Sequence, residues 1–130
     1  MHYFVILAYN EEQNLSRLLT SLNATASSLN GTYKIVLVND GSTDRTAAVA
    51  EEFQKSMPIL IEHHSSNFGV AQGFRTGFRS ALSMANDGDI IFTMEADNTG
   101  DLGLLPTMLA KIHAGADVVL ASCYAPGGEV

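Results

Sequence analysis

Two carboxylates one residue apart close an apolar run in Asp89-Ile90-Ile91-Phe92-Thr93-Met94-Glu95-Ala96-Asp97. Positions 95 and 97 share a parity, so an extended chain sends both side chains to one face. Two such charges at ~4 Å repel by about 1 kcal/mol in water, and by about 4 kcal/mol at an effective dielectric near 20. A divalent cation reverses the sign of that repulsion. With oxygen donors alone and no His or Cys alongside, the pair suits a hard ion, Mg²⁺ or Mn²⁺. An isolated E-x-D is most often the polar exit of a strand, and the residues at the other strand ends decide whether this one is more.

Ile90 to Met94 reads as a strand buried on both faces, whose interior could not hold charge without a large desolvation cost. Its carboxyl end opens where parallel α/β sheets bind ligands. Similar apolar runs at 3–8, 33–38, 59–62 and 116–122 predict four more strands. Between them the apolar spacing changes to that of helices. Asn10 is read as the cap of a first helix with Leu15, Leu18, Leu19, Leu22 and Leu29 on one face, and Ser42 or Thr43 as the cap of a second running to about Lys55. A third helix spans about 70–85, with Phe74, Phe78, Ala81, Leu82 and Ala85 inward, and Leu104 to Ile112 mark a fourth. Such alternation predicts an α/β fold, a mostly parallel sheet with helices on both faces. Its polar strand ends are Tyr9-Asn10-Glu11, Asn39-Asp40, His63-His64 and Glu95-Ala96-Asp97. If the strand order reverses between the first and fourth strands, Tyr9, Asp40 and the 95–97 pair meet at one crevice.

That crevice has no Gly-rich cradle. The first turn is Ala8-Tyr9-Asn10-Glu11-Glu12, which fits neither a dinucleotide fingerprint nor a P-loop. Phosphates would therefore need a carboxylate-held metal, while Tyr9 offers a stacking face and Asp40 an acceptor for a base N–H. The ligand expected is a nucleoside diphosphate with its base near Tyr9 and Asp40 and its diphosphate on a metal at Asp97. Asp44 reads as a helix-dipole residue, and so does His113. The adjacent His63 and His64 read as surface positions, and Arg75 and Arg79 are the only clustered cations a phosphate could use.

Composition narrows the class. At 130 residues with 46% apolar and 16% charged side chains, one globular domain is expected. A net charge of −7 without a basic stripe argues against nucleic acid, and against anionic membranes recognised by bulk charge. Cys123 is the lone cysteine, so no internal disulfide forms, and it reads as a small buried or half-buried thiol. No apolar run nears the ~20 residues of a membrane span, and the first residues do not start a signal peptide. The expectation is a soluble cytoplasmic chain.

Five segments in order, F-V-I-L-A-Y-N-E-E-Q-N-L, I-V-L-V-N-D-G-S-T-D-R-T, N-F-G-V-A-Q-G-F-R-T-G-F, D-I-I-F-T-M-E-A-D and A-S-C-Y-A-P-G-G, resemble family-2 glycosyltransferases of the GT-A fold. The nearest flavour is the branch of dolichol-phosphate mannosyltransferases and polyprenyl-phosphate glucosyltransferases. The resemblance implies a Rossmann-like nucleotide-binding half and an inverting transfer of sugar from a UDP- or GDP-sugar. In that branch the acceptor is a polyprenyl phosphate, which would bring the chain to the cytoplasmic face of the membrane. It implies that Leu7, Ala8, Tyr9, Glu11, Val38, Asp40, Glu95 and Ala96 hold the nucleotide. It also puts Glu95 and Asp97 at the chemistry, with Thr99 joining them around the metal. Glu95 stands for the usual first Asp, Leu7 for a usual Pro, Thr99 for a frequent Gln, and Cys123 for a usual Arg. Members of the branch continue well past this point with an acceptor-binding portion, so this chain reads as the donor half. Either it acts with that portion as partner, or it is a non-catalytic relative that binds nucleotide weakly or assembles, with itself among the candidate partners. A receiver-like phosphoacceptor domain fits less well, since residues 117–122 lack the Lys it expects.

Overall fold

The computed structural model describes residues 1–128 and forms two compact units, one of residues 1–100 and one of the described residues from 101 onward. The first contains β1 (His2–Ala8), α1 (Leu15–Ser28), β2 (Tyr33–Asn39), α2 (Thr46–Gln54), β3 (Ile59–His63), α3 (Val70–Met84) and β4 (Ile90–Glu95). The second carries a 3₁₀ turn (Leu102–Leu104) leading into α4 (Leu105–His113), where Pro106 sits in the first turn and Leu105 and Leu109 are buried.

The strands form one parallel sheet in the order β3-β2-β1-β4. β1 lies at its centre and is buried along its whole length. Its alternate side chains feed two cores. Phe4 and Ile6 face one way, where Phe4 stacks on Phe92 with ring centroids 4.8 Å apart. Tyr3 and Val5 face the other way, joining Val36 and Ala81 in a cluster that Phe74 and Met84 close. Two right-handed crossovers lay α1 and α2 side by side on one face. The crossover from β3 to β4 then brings α3 back across β1 and β2 on the other. Full burial of each aliphatic side chain, as for Leu15, Leu19 and Leu22, contributes about 1.5–3 kcal/mol.

α3 lies close to the sheet because its inner seam is Gly73, Gly77 and Ala81, one turn apart. A Cβ at Gly73 would run into Leu7, and one at Gly77 into Val5. Gly77→Ala gains up to about 1 kcal/mol of helix propensity but overpacks the seam at about 1–3 kcal/mol. The urea midpoint of Gly77→Ala is therefore expected to fall, whereas Ser83→Ala, on the exposed side of the same helix, is expected to leave it level or raise it.

Three boundaries depart from the sequence reading. α1 starts at Leu15 rather than beside Asn10, whose φ of 50° takes it out of the helical region. α2 starts at Thr46, where Asp44 rather than Ser42 or Thr43 accepts the Thr46 amide, at 2.9 Å. Residues 116–122 form no strand, and Val118 and Leu120 are 75% and 83% exposed. A strand needs a ladder to satisfy its N–H and C=O groups, and an apolar pattern alone does not supply one.

Candidate functional site

The carboxyl ends of β2, β1 and β4 are bonded into one rim. The Asp40 amide donates to the Ala8 carbonyl at 2.9 Å, and the Ala96 amide to the Leu7 carbonyl at 3.0 Å. Strand order reverses between β1 and β4, so this rim stands at the switch point where α/β sheets open a crevice. Leu7, Ala8, Val38 and Ala96 are buried along it, while the Tyr9 side chain emerges with 44% of the residue exposed.

Loops 9–14 and 40–46 are stitched together behind the rim. The left-handed turn at Asn10 lets its amide donate to Ser42 Oγ at 3.0 Å, and its side-chain oxygen accept the Thr43 amide at 2.8 Å. The Glu11 amide donates to Thr46 Oγ1 at 2.8 Å, and that hydroxyl donates on to Asp44 at 2.6 Å. Burial alone would push the Asp44 carboxyl up. The hydroxyl and amide of Thr46 and the Glu12 amide outweigh it and hold the group below its ordinary value. Asp44 is thus more than a dipole residue, and the fully buried Thr46 is a staple that the sequence reading missed. The Glu11 carboxylate accepts the Asn14 side-chain amide at 2.7 Å, at the entrance to α1.

β4 ends at Glu95 and the chain turns at 96–97, so the shared face expected of an extended 95–97 segment does not form. Asn98, at φ 61°, ties this exit to the start of α1 by donating to the Asn14 carbonyl at 2.9 Å. Asp97 Oδ1 accepts the Thr99 amide at 3.0 Å and its hydroxyl at 2.6 Å. The hydroxyl and then the amide of Thr99 hold the Asp97 carboxyl below its ordinary value against partial burial. Asp97 is therefore ionised at neutral pH. Among the described residues, its Oδ2 and the Glu95 carboxylate accept no hydrogen bond, and no three His, Cys, Asp or Glu side chains cluster as a complete metal cage. This donor set fits Mg²⁺ or Mn²⁺ in one mode only, with one or two carboxylates and the rest of the shell from water and substrate phosphates.

Asp40 shares the rim by its backbone, but its side chain is committed elsewhere. The residue is 2% exposed, and its carboxylate accepts from His64 Nδ1 at 2.7 Å, the Phe68 amide at 2.9 Å and the Gly69 amide at 3.0 Å. A carboxylate can only accept, so Nδ1 carries the proton, leaving Nε2 to face the Thr76 hydroxyl at 2.8 Å. His63 is exposed as expected, but His64 is not: with its side chain 9% accessible, it turns under α3 because neighbouring residues leave a strand on opposite sides. Gly41 completes the lock. At φ 70° it meets the Ser66 backbone so closely that no Cβ fits. An open cavity of about 570 Å³ beside β3 is lined by Glu62, His63, His64, Phe68, Gln72 and Thr76. Its polar groups are already partnered, Glu62 by Ser80, His63 by Asn39 and His64 by Asp40 and Thr76. It offers a ligand little.

This lock predicts an acid limit. Burial would raise the Asp40 carboxyl, yet His64 and the two amides bring it below its ordinary value. A carboxyl depressed on folding adds stability above its unfolded pKa of about 3.9, and that stability is lost as pH falls through the lower folded value. The urea midpoint is expected to drop between pH 5 and pH 3, and an Asp40→Asn variant to lose less over that interval.

Arg75 and Arg79 lie exposed on α3 and pair with no carboxylate among the described residues. Cys123 is exposed rather than buried or half-buried. His113 lies in the last turn of α4, as the dipole reading expects.

Residues 3–130 match the model of glycosyl transferase family 2. The chain belongs to that family. Among relatives, it is 31% identical over 126 residues to a dolichol-phosphate mannosyltransferase of Pyrococcus furiosus, covering 97% of this chain and 34% of that one. It is 30% identical over 128 residues to a polyprenol monophosphomannose synthase of Mycolicibacterium smegmatis, covering 97% and 46%. An undecaprenyl-phosphate 4-deoxy-4-formamido-L-arabinose transferase of Pseudomonas fluorescens is 32% identical over 117 residues, covering 88% and 33%. The chain thus spans between a third and a half of the length of these family members. Among solved structures, S. aureus TarS 1–349 in complex with UDP-GlcNAc superposes with a TM-score of 0.70 at 18% identity, covering 95% of this chain and 38% of that one. That likeness establishes the fold, the GT-A arrangement which the motifs imply. No helix among the described residues is long and apolar enough to cross a membrane.

Proposed function

We propose that this family-2 domain binds a nucleoside diphosphate sugar at the rim between β1 and β4, with a divalent ion, and serves transfer of the sugar to a polyprenyl phosphate. The observation that carries the reading is the bonding of three strand ends into one rim, where Asp97 and Glu95 keep carboxylate oxygens uncommitted. Family membership, the lipid-phosphate acceptors in the relatives' names and the UDP-GlcNAc held by TarS support it.

Tyr9 stacks on the base. Leu7, Ala8, Val38 and Ala96 set the backbone against which the nucleoside lies, and Glu11 and Asp44 hold the two loops in place around it. Asp40, sealed by three donors of the 64–69 loop, serves the nucleoside by fixing that loop against the rim rather than by touching the base. Asp97, ionised and oriented by Thr99, takes the Mg²⁺ or Mn²⁺, with Glu95 beside it on metal or ribose. The bound ion supplies charge neutralisation at the diphosphate leaving group. Transfer forms the bond from the acceptor phosphate oxygen to the anomeric carbon as the bond to the diphosphate breaks on the opposite face, inverting the centre. That oxygen is already anionic, so no general base is needed.

Titration calorimetry with UDP- and GDP-sugars, with and without Mn²⁺, tests the binding reading. Heat with one nucleotide that requires the ion is expected. Silence in every combination would favour the second reading, a module that assembles with a partner or itself.

A further inference from the structure

We propose that the outward face of α3 is a docking surface for an anionic lipid bilayer. The inner side of this helix is spent on the sheet through Gly73, Gly77 and Ala81. The outer side is expected to be polar. Yet Phe78 and Leu82, which the apolar spacing placed inward, stand 39% and 62% exposed because the glycine seam takes the inner side. Phe68 and Val70 are 52% and 56% exposed around the helix entrance. Arg75 and Arg79 lie among them, at the i, i+3 and i+4 spacings that keep residues on one helix surface.

The charge pattern selects the occupant. The chain has twice as many acids as lysines and arginines, yet α3 contains no Asp or Glu and two of the seven cations. Neither arginine forms an ion pair among the described residues. A net charge of −7 repels an anionic surface on average, so an approach that succeeds must present this positive helix first. Arginine stems lying along apolar surface, with phenylalanine and leucine beside them, suit the boundary between headgroups and acyl chains. A second copy docked by a two-fold axis would instead bring the arginines of both copies together, where like charges repel. The docking stands on this helix surface and does not need the transferase reading.

Co-sedimentation of the full chain with vesicles tests it, without nucleotide or metal. One set is phosphatidylcholine alone, the other equal parts phosphatidylcholine and phosphatidylglycerol. At ~0.01 M ionic strength, where the screening length is about 30 Å, at least tenfold stronger binding to the anionic vesicles is expected, and most of it is lost at ~1 M. Arg75→Gln with Arg79→Gln is expected to weaken binding about 25-fold, at roughly fivefold per arginine. Phe78→Ser with Leu82→Ser is expected to weaken it to a comparable degree, and both double variants should melt within a few degrees of the parent. No binding to anionic vesicles, equal binding to neutral ones, or parental binding by both variants would each overturn the proposal. So would light scattering that shows a dimer abolished by Phe78→Ser with Leu82→Ser while vesicles remain unbound.

Discussion

Asp97→Ala is expected to abolish ion-dependent nucleotide binding, lowering affinity on the order of 100-fold or more, about 2.7 kcal/mol. Few donors are available to compensate. Among the described residues no cluster of three His, Cys, Asp or Glu side chains could take over the ion, and a hard cation held by one or two carboxylates and substrate phosphates depends strongly on each. Asp97→Asn keeps the Thr99 contacts at Oδ1 but loses the charge, so it is expected to lose nearly as much as alanine. Thr99→Ala removes only the hydroxyl that orients and ionises the carboxylate, and a smaller loss, of roughly 10-fold, is expected as for other residues one step behind a metal ligand. Calorimetry with Mn²⁺ and the preferred nucleotide ranks the three. Parental affinity in Asp97→Ala would remove the carboxylate from the site. Folding should be indifferent, because Asp97 is only half-buried and bonds only to its own turn.

Asp40→Ala is expected to act oppositely, on the fold first, with a loss of about 3–5 kcal/mol. It strands an imidazole N–H and two backbone amides that are partly buried, and each such orphan costs up to about 1–3 kcal/mol. Against a total stability of 5–15 kcal/mol for ordinary domains, that is a large fraction. His64→Ala removes one donor and leaves the two amides in place, so roughly 1–2 kcal/mol is expected. Urea denaturation of both single variants and the double checks the coupling. If the three groups form one lock, the double variant loses clearly less than the sum. Strict additivity would mean that His64 and Asp40 are independent. Because Gly41 presses against Ser66, loosening this lock also frees the 64–69 loop beside the rim, and nucleotide affinity should weaken with it.

The alternation of apolar runs and helical spacings made the α/β class, the order of the elements and the strand-end location of the polar residues legible without coordinates, because burial on both faces leaves a strong local imprint. Ile90 to Met94 could be placed by its apolar run, although as the edge strand β4 it buries only Phe92 rather than both faces. The family could be read as well, since five ordered motifs are a property of the chain alone. Turns were less legible. Asn10 looked like a helix cap until its left-handed backbone sent its side chain to Thr43, and 95–97 looked extended until the chain turned after Glu95. Only tertiary structure decided what each carboxylate does. Asp40 and Asp97 are both acids at strand ends, yet one is sealed by His64 and two amides while the other keeps an oxygen open. That difference comes from residues 24 to 29 positions away. Long-range hydrogen bonds of that kind leave no periodicity, so Thr46 and His64 were unremarkable in sequence. Residues 116–122 mark the converse limit. Their apolar pattern suits a strand, but a strand is made by its neighbour, and pairing is decided in space.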